Sequence, residues 1–97
     1  MLILRTLSRG GELHGYEIAK SIQQMSRDVL QVEEGSLYPA LQRMLIKGWV
    51  IAKWGATAEN RRARYYRLTP SGRKQVDVEV LQFERVMEAI ARVIQTV

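Results

Sequence analysis

The chain has no cysteine, two prolines and one histidine among its 97 residues. The absence of cysteine excludes disulfides and thiolate metal sites and suits a reducing compartment, so we expect a cytoplasmic protein. No apolar run approaches the ~18 residues of a membrane span, and the apolar start is too short for a signal peptide. Because metal-spaced clusters and glycine-rich phosphate loops are also missing, we expect no enzyme, no metal and no cofactor.

Basic residues outnumber acidic ones and are concentrated in one stretch. The net charge of +5 suits a polyanion, either nucleic acid or an anionic membrane surface. Five of the 15 lysines and arginines lie close together in the second half of the chain: Arg61, Arg62, Arg64, Arg67 and Arg73. This concentration favours a nucleic-acid partner over a surface that is merely basic.

Hydrophobic spacing predicts two short helices in the first 26 residues. Residues 1–9 place three apolar side chains together, Ile3, Leu4 and Leu7, and the pattern already holds at Met1, so we expect this helix to begin upstream. Residues 15–26 carry a buried stripe of Ile18, Ala19, Ile22 and Met25. His14 has no companions for metal binding or catalysis, and we expect it to act structurally where this second helix starts. The connector 27–34 is apolar enough for a short strand.

A third helix is predicted over residues 36–47. Ser36 is a good N-cap, Pro39 falls in the first turn, where its missing N–H costs little, and Gly48 ends the helix. Its buried stripe is Leu37, Leu41 and Met44. Ser36, Gln42 and Arg43 lie off that stripe, as does Tyr38.

A helix with one anchored face and one polar face fits the DNA major groove, which is about 12 Å wide. Ser36 and Tyr38 would lie at its N-terminal end, where backbone N–H groups favour phosphate. Gln42 and Arg43 lie one turn further, where glutamine pairs with adenine and arginine with guanine. The alternative is a core helix whose polar face is only solvated.

Two β-prone segments, 50–54 and 64–69, flank a loop over residues 55–62 and predict a hairpin. The alternation places Arg64, Tyr66 and Leu68 on one face, which we expect to be the inner one. Arg61, Arg62 and Arg64 on a protruding ribbon suit phosphates or a narrow minor groove. We expect Trp49 in the core. Trp54 could either pack in the core or face a ligand, and the sequence does not decide between the two.

The last predicted helix begins near Pro70 and carries a heptad seam of about three repeats. Its members are Val76, Val80, Phe83, Met87, Ile90, Ile94 and Val97. The seam predicts a homodimer, with packing on the same domain as the alternative. The polar face mixes acidic with basic residues, which disfavours a membrane-surface helix.

The predicted fold is therefore mainly α with a small β-hairpin. Residues 1–69 form a winged helix-turn-helix DNA-binding domain, and residues 70–97 form a dimerisation helix. In a dimer, the two recognition helices, residues 36–47 of each protomer, would lie about 34 Å apart and match a near-palindromic double-stranded DNA site. A winged helix whose arginines dock an acidic protein, without specific DNA recognition, remains the alternative function.

Several motifs together resemble the PadR family of bacterial transcriptional regulators over nearly the whole chain. They are HGY at 14–16, GSLYPAL at 35–41, Arg43, GW at 48–49, RYYRLT at 64–69 and GR at 72–73. VLQVEEGS at 29–36 and WG at 54–55 most resemble the acidobacterial PadR subgroup. Leu45 and Ile46 depart from the family, because charged residues are usual there, and these two apolar side chains would face solvent or a neighbouring chain.

The resemblance implies a winged helix-turn-helix with a C-terminal dimerisation helix, acting mostly as a repressor. Carried over to this chain, it implies that Tyr16, Ser36, Tyr38 and Arg43 contact DNA and that the wing contacts it through Arg61, Arg62 and Arg64. It also leaves open a small aromatic effector bound between the C-terminal helices.

Overall fold

The computed structural model of the chain describes residues 1–95. In chain order the elements are α1 (Leu2–Gly10), β1 (Leu13–His14), α2 (Gly15–Met25), α3 (Glu34–Ile46), β2 (Val50–Ala56), β3 (Arg62–Leu68) and α4 (Pro70–Gln95). The predicted order of three helices, a hairpin and a final helix is confirmed, with β1 as an addition.

One core joins all of the helices to the sheet. Its buried side chains are Ile3, Leu4, Leu7, Ile18, Ile22, Leu37, Leu41, Val50, Tyr66, Leu68 and Val76. The predicted inner faces of α1 to α3 and of the hairpin are therefore confirmed. The prediction for Met25 was wrong: its side chain is 69% exposed, because α2 ends at this residue and Ile22 is the last to reach the core.

The sheet is antiparallel with strand order β1-β3-β2. The strand expected in the connector 27–34 is not formed: Arg27 and Asp28 lie in a turn with φ of 52° and 66°, and residues 30–33 have no regular structure. The third strand comes instead from β1, where Leu13 pairs with Tyr66 and His14 pairs with Tyr65. Two residues suffice because β3, already paired with β2 on one side, offers its free edge on the other.

The predicted start of α3 at Ser36 was wrong, because the helix begins two residues earlier, at Glu34. The Glu33 carbonyl accepts the backbone N–H groups of Ser36 and Leu37 at 3.0 Å, and no side chain caps the helix. Ser36 thus lies inside the first turn, and Pro39 is the sixth helical residue rather than part of the first turn. Its ring removes only the hydrogen bond that would have reached the carbonyl of residue 35.

Gly48 ends α3 as predicted, with a positive φ of 75°. Its N–H donates to the Leu45 carbonyl at 3.1 Å, and the Trp49 N–H donates to the Met44 carbonyl at 3.0 Å. This pair of bonds is a Schellman motif, which satisfies the last carbonyls of the helix. Trp49 then packs, partly buried, against the core.

α4 is attached to the sheet by its first turn. The Thr69 hydroxyl donates to the Gly48 carbonyl at 2.6 Å and accepts the Gly72 N–H at 3.0 Å, which caps the helix. Pro70 occupies the first helical position, where its fixed φ is favourable. Val76 is buried and Val80 partly buried against the core, whereas the side chains from Phe83 to Ile94 leave it.

The distal part of α4 exposes a broad apolar face. Each of its large apolar side chains beyond Val80 is at least 42% exposed: Leu81, Phe83, Val86, Met87, Ile90, Val93 and Ile94. Val97, the last predicted member of the seam, lies outside the described residues. None of the helices formed by residues 1–95 combines the length and the apolar character needed to cross a bilayer.

Candidate nucleic-acid interface

α3 presents a polar outer face because its inner face is anchored by Leu37 and Leu41, both fully buried. Gln42 and Arg43 are exposed on the opposite side. Ser36 lies seven residues before Arg43, which is two turns, so the two residues share one side of the helix. The outer face therefore presents three of the predicted DNA-contacting side chains, Ser36, Gln42 and Arg43, directly to solvent.

Tyr38 leans from α3 onto the start of α2. A Cβ added at Gly15 would lie 2.8 Å from the Tyr38 hydroxyl oxygen and 2.9 Å from Cε1, so the ring rests where any other residue would place a side chain. Tyr38 is nevertheless 47% exposed, and Tyr16, one residue after Gly15, is 67% exposed. Two tyrosine rings thus flank the N-terminus of α2.

His14 caps α2, as predicted from its position. The Glu17 backbone N–H donates to His14 Nδ1 at 3.4 Å, and the His14 backbone N–H donates to Glu17 Oε1 at 3.1 Å. This reciprocal pair is a capping box. The His14 ring also meets the Tyr65 ring edge-on at a centroid distance of 5.3 Å, which joins α2 to the hairpin.

The hairpin's inner face changes character along its length. Near its base Val50, Tyr66 and Leu68 are buried in the core. Towards its tip, the alternation places on the same face Trp54, Arg62 and Arg64, all exposed. Arg64 pairs with Trp54 across the two strands, and Arg62 pairs with Ala56. We call residues 55–64, the end of the hairpin with its loop, the wing.

Aromatic rings hold two of the wing arginines. Arg62 Cζ lies 4.4 Å from the centroid of the Trp54 ring, and Arg64 Cζ lies 5.9 Å from that of Tyr66. Both distances are within the range of cation–π attraction. Within residues 1–95, no acidic side chain forms an ion pair with Arg61, Arg62 or Arg64. Their charges are therefore oriented but not neutralised.

The start of α2, Tyr38 and the wing enclose one open cleft of about 550 Å³. Its walls are His14, Gly15, Tyr16, Tyr38, Trp54, Thr57, Arg61, Arg62, Ala63, Arg64 and Tyr66. No carboxylate lines it. Exposed aromatic rings and un-neutralised arginines in one concave surface suit a polyanion that also offers sugar and base surfaces.

The loop of the wing is shorter than predicted, because the strands extend to Ala56 and begin again at Arg62. Residues 57–61 close through the Thr57 N–H, which donates to the Arg61 carbonyl at 2.8 Å. The Asn60 N–H donates to the Thr57 carbonyl at 2.9 Å, and Asn60 takes a φ of 60° that asparagine tolerates. The turn is thus a defined structure that projects Arg61.

A model of the transcriptional regulator PadR-like family matches residues 3–78. The chain belongs to the PadR-like family. The resemblance to the PadR family inferred from the sequence is thereby confirmed at the level of the family, together with the winged helix-turn-helix fold and function as a DNA-binding transcriptional regulator.

Individual relatives agree with this assignment. A transcriptional regulator of Mycobacterium tuberculosis is 33% identical over 81 residues, which cover 84% of this chain and 68% of that protein. The structure of a transcriptional regulator from Clostridium thermocellum superposes with a TM-score of 0.84 at 30% identity, covering 94% of this chain and 87% of that one. Bacillus subtilis PadR in complex with operator DNA shares the fold, with a TM-score of 0.71 at 24% identity over 81% of this chain and 44% of that one.

In this PadR-like chain, five of the eight predicted DNA-contacting residues line the cleft: Tyr16, Tyr38, Arg61, Arg62 and Arg64. The other three, Ser36, Gln42 and Arg43, lie on α3 outside the cleft. Trp54, for which the sequence allowed either a core position or contact with a ligand, is 59% exposed and forms part of the cleft wall. It therefore does not belong to the core. The alternation from Val50 through Ala52 to Trp54 is the sequence signal that assigns it to the inner face.

The described part of the PadR-like chain contains no group of three or more His, Asp or Glu side chains arranged to hold a metal ion. His14 and Glu17 are engaged in the capping box.

Proposed function

We propose that the chain acts as a homodimeric repressor that binds a specific DNA sequence, with residues 36–47 in the major groove and the wing, residues 55–64, on the backbone or minor groove. The observation that supports this most directly is the cleft that joins Tyr16 and Tyr38 to the wing arginines beside the outer face of α3. We also assign the chain to the cytoplasm and, from residues 29–36 and 54–55, near the acidobacterial PadR subgroup.

In this proposal α3 reads the sequence. Gln42 donates to and accepts from an adenine edge, and Arg43 donates two hydrogen bonds to a guanine. Both side chains lie on the exposed side of a helix whose inner side is fixed by Leu37 and Leu41. Ser36 and Tyr38, nearer the start of the helix, contact phosphate, and Tyr16 adds a further contact from α2.

The wing supplies charge. Arg61, Arg62 and Arg64 contact phosphates or enter a narrow minor groove. Because the rings of Trp54 and Tyr66 hold Arg62 and Arg64 before DNA arrives, less side-chain entropy is lost on binding. Each phosphate contact makes the fall of log affinity with log salt steeper by about 0.9.

The exposed face of α4 forms the dimer. The seam consists of Val76, Val80, Phe83, Met87, Ile90 and Ile94, of which the first two are partly or wholly covered within the chain. The remaining four are 42–75% exposed along one side of the helix, and a contiguous exposed apolar patch of this kind marks an interaction surface. Pairing two α4 helices along a heptad seam removes it from water, and a small aromatic effector between C-terminal helices would require this dimer.

The decisive experiment is selection of duplexes from a random-sequence pool by the wild-type protein at physiological salt. We expect one enriched, near-palindromic site. Arg43→Ala should lose about 1–3 kcal/mol of discrimination at one base position, whereas Arg62→Ala should weaken all duplexes similarly and reduce the salt slope by about 1. Lys53→Ala is the matched control, because Lys53 lies on the outer face of the hairpin, paired with Glu12 at 3.3 Å.

Two outcomes would contradict the proposal. If no sequence is enriched and binding to every duplex disappears as salt rises, the surface is basic but does not read bases. If Arg43→Ala and Arg62→Ala lower affinity equally on every sequence, Arg43 does not read a base. Repression itself is measured with a reporter whose promoter carries the selected site, where expression should fall when the protein is present.

A further inference from the structure

The outer face of α3 includes one large apolar side chain that the proposed contacts do not use. Ile46, the last residue of the helix, is 77% exposed, although its neighbour Leu45 packs partly buried against the core. An isoleucine in water at this position adds nothing to the core. A favourable contribution from this side chain requires a molecule that covers it.

Ile46 lies in line with the reading residues. It follows Gln42 by four residues and Pro39 by seven, spacings that place all three on one stripe of the helix. At 1.5 Å per residue, Ile46 is about 6 Å beyond Gln42 along the axis, which corresponds to about two base-pair steps of 3.4 Å. A helix in the major groove that brings Gln42 to a base edge therefore brings Ile46 to the groove floor two steps away.

We propose that Ile46 contacts the C5 methyl group of a thymine in the major groove, about two base pairs from the base that Gln42 reads. Thymine is the base that presents an apolar group in that groove, so an apolar side chain there selects it over the other three. This inference rests on the proposed function, and it adds a specificity-determining residue to it. In a dimer, one such thymine lies in each half-site.

The test removes the methyl group from the DNA. Each thymine of the selected duplex is replaced in turn by uracil, which keeps the base-pairing edge and lacks only the C5 methyl. Wild-type protein should lose about fourfold in affinity per half-site at one position, the value for one buried methyl group. Ile46→Ala should bind the thymine duplex about fourfold more weakly than wild type and should be indifferent to uracil at that position.

Ile51→Ala is the matched control, because Ile51 is also an exposed isoleucine but lies on the outer face of β2. It should retain the wild-type response to uracil. Folding does not confound the result, since alanine is the best helix former and Ile46 is outside the core. Thermal unfolding of both variants is measured alongside binding.

Three results would overturn the inference. If the wild-type protein tolerates uracil at every position, no methyl group is contacted. If Ile46→Ala keeps the full loss of affinity for uracil, another residue contacts the methyl group. Loss of dimerisation in Ile46→Ala would show that a second copy covers this side chain. These results leave sequence selection by wild type intact, whereas failure of the proposed function appears earlier, as a pool without any enriched site.

Discussion

Alanine at Gly15 should weaken DNA binding without weakening the fold. The new Cβ would lie 2.8 Å from the Tyr38 hydroxyl oxygen and 2.9 Å from its Cε1. The ring must move by about 0.6 Å or more to restore ordinary van der Waals contact. The Gly15 backbone is helical, so alanine introduces no backbone strain there, and stability should stay the same or rise by up to about 1 kcal/mol.

The expected loss of affinity follows from what the ring does in the complex. If the Tyr38 hydroxyl donates to a phosphate, moving it removes one hydrogen bond, about 1 kcal/mol or about fivefold in affinity. The salt slope should not change, because tyrosine carries no charge. This separates Gly15→Ala from the loss of a wing arginine, which lowers the slope by about 0.9.

The assay is a double-mutant cycle with Tyr38→Ala, measured by titrating the selected duplex at several salt concentrations. Gly15→Ala should cost about fivefold in the wild-type background and nothing once the tyrosine ring has gone, since the two changes act on the same contact. Wild-type affinity in Gly15→Ala would refute the role of the Tyr38 position. An equal loss in both backgrounds would refute the steric argument.

Three further outcomes follow from single contacts. Gly72→Ala should lower the free energy of unfolding by about 3 kcal/mol in denaturant titration, because its Cβ would lie 2.0 Å from the Trp49 carbonyl oxygen, a backbone atom that cannot turn aside. Trp54→Ala should weaken DNA binding two- to fivefold, the value of about 0.5–1 kcal/mol for an exposed cation–π contact, with an unchanged salt slope because Arg62 keeps its charge. Phe83→Asp should yield monomers in sedimentation velocity.

Two of these changes have a control on the same element. Ser71→Ala changes an exposed residue beside Gly72 and should leave unfolding unchanged. Glu84→Ala lies off the α4 seam and should leave the dimer intact. A flattened salt slope in Trp54→Ala would mean that the arginine loses its phosphate altogether, and a dimeric Phe83→Asp protein would place the interface elsewhere.

The inner faces of the elements were predictable because they depend on local periodicity. A helix repeats every 3.6 residues and a strand every two, so apolar spacing alone assigns Leu4 and Leu7, Leu37 and Leu41, or Tyr66 and Leu68 to the inside. β1 was not predictable in this way, because two residues have no period. Its existence depends on the free edge of β3, which only the folded sheet provides.

The start of α3 shows where a local signal is overridden. Ser36 is a favoured N-cap, yet the helix begins at Glu34, capped only by the backbone carbonyl of Glu33. The chain reverses at Arg27 and Asp28, and the short remaining connector delivers it to the core at Leu37. A helix that starts earlier satisfies the N–H groups that Ser36 would otherwise have had to cap.

The candidate interface was partly predictable for the same reasons. Its arginines and the polar face of α3 are visible in the sequence, whereas Tyr16 followed only from the resemblance to the PadR family. The cleft itself was not predictable, because it depends on how far the hairpin extends beyond the core. Trp54 shares a face with buried Val50 and partly buried Ala52 but is itself 59% exposed.

Reading helix and wing are held at a fixed separation by a chain of aromatic contacts. Tyr38 of α3 rests on Gly15 at the start of α2, and the cap of α2, His14, meets Tyr65 of the hairpin. The Tyr65 hydroxyl donates across the hairpin to the Ala56 carbonyl at 3.1 Å. DNA that engages two independently moving parts must fix their relative position at a cost in entropy. Because the fold has already fixed it, the proposed base contacts from α3 and the proposed phosphate contacts from the wing would act on the same duplex together. The chain's one histidine would then contribute to DNA binding without contact to DNA.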